Sequence, residues 1–90
     1  MPLTSSERKA LKAKAHKLEP VVQIGAKGLT DVVVAEIERA LDAHELIKVR
    51  ASSAEREERD AMLQDICGRT GAEQVQQIGK VFVLFRKNDE

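Results

Sequence analysis

A mixed α/β (α+β) fold in the order α-β-α-β-α-β-β, with helices packed on a four-stranded mixed sheet, is what this sequence predicts, on three observations. Its apolar residues change several times between helical spacing and the alternation of a strand. Pro20, Gly25, Gly28, Gly71 and Gly79 punctuate those changes. The chain has 90 residues, 42% hydrophobic and 33% charged, which suits one core, so residues 1–90 are expected to form one domain.

The first helix is predicted from Thr4 to Leu18. Thr4 and Glu7 have capping-box spacing, and Leu11, Ala15 and Leu18 make a narrow apolar line among cations. Pro20 ends it, because proline disfavours a helical residue before it. Val21 to Ile24 reads as a strand with Val22 and Ile24 on one face. A second helix is predicted over Asp31 to His44, with Val33, Ile37, Ala40 and Leu41 on one stripe. Leu46 to Ala51 alternates apolar residues with Lys48 and Arg50, as a half-covered strand does.

Ser52 and Glu55 have capping-box spacing ahead of a third helix, predicted from Ala54 to about Thr70 and stopped by Gly71. Its stripe is Met62, Leu63, Ile66 and Cys67. Gln74 to Ile78 and Val81 to Arg86 flank Gly79-Lys80, a two-residue hairpin connection. Val81 to Phe85 is apolar throughout and is therefore expected to be a central strand covered on both faces. Lys87 to Glu90 is expected to fray. The two βα crossovers should lay the second and third helices on the sheet; nothing in the pattern places the first.

Fifteen basic and fifteen acidic side chains cancel, but not evenly along the chain. Residues 1–30 carry six basic against two acidic, and residues 31–60 five against nine. One basic end on a neutral protein can take a polyanion on one face and repel it from another. No apolar run approaches the ~20 residues of a membrane span. The polar start and the lone Cys67 add to an expectation of a cytoplasmic, monomeric protein. His16 and His44 lack metal-ligand spacing, and Cys67 sits on an apolar stripe, so no metal, cofactor, small-molecule substrate or catalytic step is expected.

The stretch Gly25-Ala26-Lys27-Gly28-Leu29-Thr30-Asp31 joins a strand to a helix start. Either glycine could take a positive φ there, Lys27 supplies charge, and Thr30 suits an N-cap over a helix N-terminus that favours anions. By themselves these residues favour a plain strand-to-helix turn over a phosphate-holding loop. With no Trp or Tyr, and with Phe82 and Phe85 on opposite faces of an apolar strand, there is no aromatic platform for stacking bases. Any recognition of nucleic acid should rest on backbone, shape and charge.

The ordered segments Leu11 to Leu18, Pro20 to Gly25, Gly28-Leu29-Thr30, His44 to Val49, Gln77 to Lys80 and Val83 to Arg86 resemble the CRM domain (chloroplast RNA splicing and ribosome maturation) in its stand-alone bacterial, YhbY-like form. That resemblance decides for the phosphate-holding reading of the loop. It implies a fold similar to the C-terminal domain of bacterial translation initiation factor three. It also implies a Gly-x-x-Gly loop like that of KH domains, and an RNA-binding protein on precursors of the large ribosomal subunit. Ala26 stands where many relatives carry a polar or basic residue, and Phe85 where tyrosine is common. The candidate RNA contacts are Gly25, Ala26, Lys27, Gly28 and Thr30 in the loop, Lys12, Lys14 and His16 on the first helix, and Lys48, Arg50 and Arg86 on the strands. The competing expectation is an adaptor that docks a basic ribosomal protein on the acidic start of the third helix.

Overall fold

The computed structural model describes residues 3–52 and 55–88. Its elements are α1 (Ser5–Ala15), β1 (Val22–Gln23), α2 (Asp31–His44), β2 (Leu46–Arg50), α3 (Arg56–Thr70), β3 (Glu73–Ile78) and β4 (Val81–Phe85). The sheet order is β1-β2-β4-β3. β1 runs parallel to β2, and β4 is antiparallel to both of its neighbours. This is the expected mixed sheet, with β4 inside it.

Period-two alternation gives each strand one residue set for each face. On one face Val22, Ile24, Ile47, Val49, Phe82 and Leu84 meet Ile37 and Leu41 of α2 and Leu63 and Ile66 of α3 in one buried cluster. Fully burying each of the larger side chains stabilises by roughly 1.5–3 kcal/mol. The other face is smaller: Val75 and Val83 meet Ala15 of α1, with Leu11, Leu46 and Phe85 at the margin. The first helix thus packs alone, opposite α2 and α3, the one placement the pattern left open. Two cation–carbonyl bonds hold it, Arg8 Nε donating to the Gln74 carbonyl at 3.3 Å and Lys48 Nζ to the Leu18 carbonyl at 2.9 Å.

Several expected boundaries move. The first helix stops at Ala15 rather than Leu18, because Lys17 and Leu18 N–H groups turn back to the Lys14 and Ala15 carbonyls in a tightened turn. That turn leaves Leu18 partly exposed and brings Val21 beside Lys48. The first strand is assigned only to Val22–Gln23, although Val21 N–H to the Lys48 carbonyl and Ile24 N–H to the Arg50 carbonyl extend its pairing on both sides. The last strand ends at Phe85, one residue early.

The Ser52/Glu55 capping box does not form. Glu55 is itself the N-cap residue of α3, without a side-chain cap, and the expected start at Ala54 lies outside the described residues. By contrast the Thr4/Glu7 box closes in both directions, at 3.0 and 3.1 Å. Gly71 takes the left-handed conformation that ends α3, at φ 73°.

Candidate nucleic-acid interface

The loop is built as a tight turn. Gly28 N–H returns to the Gly25 carbonyl at 3.0 Å, which puts Ala26 and Lys27 at the exposed tip. Gly28 has φ 77°, where a side chain would be strained, and a Cβ there would also lie 3.7 Å from Met62 Cε of α3. Gly25 differs from expectation: its φ is not positive and a Cβ would meet nothing within 4 Å. The turn requires only the second glycine. Thr30 then caps α2, its Oγ1 accepting from Val33 N–H at 3.2 Å. Asp31, fully exposed at the first helical position, already places a carboxylate at that helix end, 3.7 Å from Arg69. A carboxylate thus already stands at the helix N-terminus, while the positive charge of Lys27 stands at the exposed tip of the turn.

The sheet brings a second group together. Lys12, His16 and Lys48 surround one shallow depression floored by Ala15, Gln76 and Val83, and no carboxylate lines it. They come from elements more than thirty residues apart, joined because α1 lies across β2 and β3. Lys48 spends one of its three N–H donors on Leu18, which fixes its direction and leaves two to give. Arg50 lies on the same face as Lys48, exposed, one alternation nearer the loop. Its carbonyl accepts from Ile24, the residue before Gly25, so it links the α1 cations to the turn.

Two expected residues fall elsewhere. Lys14 lies on the far flank of α1, lining a groove with Lys17, Leu18 and His44. Arg86 is committed inside the protein. Its NH1 donates to Glu38 Oε2 at 2.9 Å and to the Thr70 carbonyl at 2.7 Å, and its NH2 to Asp42 Oδ1 at 2.7 Å. The Glu38 hydrogen bond above all raises the guanidinium above its ordinary value, so this is a permanently charged clamp across α2, the end of α3 and β4. Those bonds engage the guanidinium within the protein, away from the Lys12, His16 and Lys48 depression.

Sequence reasoning passed over Gln23, Gln76 and Ile78, which reach the basic face only through strand register. Burial pushes the Cys67 thiol up, with Glu73 adding to the shift, the opposite of what a nucleophilic thiolate needs. Among the described residues no group of three or more His, Cys, Asp or Glu could hold a metal. No helix among them is long and apolar enough to cross a membrane.

Residues 3–86 match the family model of the CRS1 / YhbY (CRM) domain. A Haemophilus influenzae relative named RNA-binding protein is 47% identical over 88 residues, covering 98% of this chain and 89% of its own. The Pseudomonas aeruginosa "Probable RNA-binding protein" is 46% identical over 88 residues, covering 98% of this chain and 85% of its own. Among solved structures, that of the Staphylococcus aureus protein SAV1595 superimposes with a TM-score of 0.85 at 30% identity, covering 98% of this chain and 92% of that one.

Proposed function

This chain belongs to the CRS1/YhbY (CRM) domain family, and from that premise we propose that it is a cytoplasmic RNA-binding protein without catalytic activity, all 90 residues serving one RNA-binding domain. Its relatives' names supply RNA as the polymer. The observation that carries the contact surface is the gathering of Lys12, His16 and Lys48 in a carboxylate-free depression, continued through Arg50 toward the Ala26-Lys27 tip, on a chain of zero net charge. Cations so grouped take successive phosphates, while the acidic residues of α2 and α3 stay on the other side of the sheet and orient the bound strand. Precursors of the large ribosomal subunit are the RNA that the family resemblance suggests, and the protein acts there as an assembly factor.

The test is RNA affinity against salt. The parent should lose affinity steeply with ionic strength, and Lys27→Ala should flatten the log–log slope by roughly 0.7–0.9, the share of one phosphate contact. Ala26→Asp with Lys27→Asp keeps both glycines, so thermal unfolding should stay near the parent's while low-salt binding is largely lost. Unchanged binding by that double variant would reduce the loop to a connector. A parent that binds no free RNA but captures basic ribosomal proteins through α3 would favour the adaptor instead.

A further inference from the structure

α1 ends at Ala15 and covers only part of its sheet face, through Ala15, Val75, Val83, Leu46 and Phe85. Beyond it, strand register sets Gln23, Arg50, Val81 and Ile78 side by side, one from each strand: Gln23 pairs with Arg50, Arg50 with Val81, and Val81 with Ile78. All four lie on the α1 face, because Val22, Val49 and Phe82, their neighbours in the chain or across the ladder, point into the opposite cluster. The row crosses three inter-strand gaps, about 14 Å. Gln23 and Arg50 are exposed, and Ile78, 50% exposed, also lines the edge of the depression that Lys12, His16 and Lys48 surround.

Resting on the RNA-binding reading above, we propose that this row is a subsite for an unpaired nucleotide of the RNA, its base lying on Arg50, Val81 and Ile78 with an edge turned to the Gln23 amide. The chemistry of the row excludes a purely electrostatic role. Its one cation is flanked by an amide that can both donate and accept and by two aliphatic side chains that offer nothing to phosphate. A duplex keeps its base faces stacked inside, whereas a single strand can splay a base onto an arginine plane and an apolar surface.

Position points the same way. The row lies between the Lys12, His16 and Lys48 depression and the residue from which the glycine turn departs, so phosphates held on either side leave the intervening base above it. No acidic side chain occurs in the row or in the adjacent one formed by Val21, Lys48, Val83 and Gln76. An uncharged RNA base in a cationic surround is the occupant this combination fits. It supplies base contact without Trp or Tyr, and so narrows the backbone-only recognition that the aromatic count implied.

Binding is measured for three probes of equal phosphate number: a single-stranded oligoribonucleotide, its abasic counterpart, and a fully paired RNA. The parent should prefer the base-bearing single strand. Ile78→Ser and Gln23→Ala alter exposed side chains, and circular dichroism and melting should confirm an unchanged fold. Each should weaken the base-bearing strand by roughly three- to tenfold, the size of one net contact, with affinity for the abasic and paired probes and the salt slope unchanged. Methyl and side-chain amide resonances of Ile78 and Gln23 should shift with the base-bearing probe alone. Equal parent affinity for base-bearing and abasic strands, or variants that bind like the parent, would overturn the subsite and leave the backbone reading standing. A parent that binds none of the three probes would overturn both.

Discussion

At the scale of single residues the two glycines of the turn separate what the backbone requires from what a ligand requires. Gly28 needs its positive φ, so Gly28→Ala should destabilise by roughly 1–2 kcal/mol in urea titration. Gly25 has an ordinary φ and open space around it, so Gly25→Ala should hold or raise stability by ~0.4–1 kcal/mol. If RNA approaches the turn's backbone closely, that same substitution lowers affinity, and the pairing of unchanged melting with weakened binding marks Gly25 as a ligand-facing position. Arg86 behaves oppositely. Arg86→Ala leaves the Thr70 carbonyl and two carboxylates without their donor and should cost about 2–3 kcal/mol, with RNA affinity intact where the variant is folded. A loss of affinity without loss of stability would return Arg86 to the RNA surface. In the sequence Arg86 reads as one more strand-end cation; its partners Glu38 and Thr70 stand 48 and 16 residues away, beyond any local pattern.

At the scale of elements, legibility followed locality. The α2 boundaries, the Thr4/Glu7 and Thr30 caps, the Gly71 stop and the Gly79-Lys80 hairpin are each decided within a few residues, and each could be read from spacing. The early end of α1 could not, since it depends on Lys48 drawing in the Leu18 carbonyl and on Val21 pairing with β2. Nor could the open row, which needs the register of four strands at once. The α1 N-terminus carries its own pH dependence. Hydrogen bonds from Thr4 hold the Glu7 carboxyl below its usual 4.5, so the ionised form supports the helix above that value, and the support fades as pH falls through the lowered one. Thr4→Ala removes the hydroxyl and keeps the backbone N–H that donates to Glu7. The Glu7 carboxyl resonance should therefore move only part of the way back toward 4.5; a full return to that value would make the hydroxyl, not the backbone N–H, the main cause.

At the scale of the molecule, charge and layering coincide: the single helix α1 bears Arg8, Lys9, Lys12 and Lys14, while Glu36, Glu38 and Asp42 ride on α2 behind the sheet. The basic layer is itself divided by the axis of α1, with Lys12 toward Lys48 and Lys14 toward His44. Reversing Lys12 to Glu should therefore weaken RNA binding more than reversing Lys14, although both alter net charge equally; equal losses would mean that only overall charge matters. The strand order has a consequence in time as well as space. Synthesis delivers β1, β2 and β3 before β4, yet β4 stands between β2 and β3. Until Val81 to Phe85 have been made, β3 has no neighbour, and the side chains of Phe82 and Leu84 are missing from the middle of the core. The sheet closes from its centre and closes last, so a chain stalled before Val81 leaves the ribosome with raw strand edges that proteases and other unfinished chains can seize.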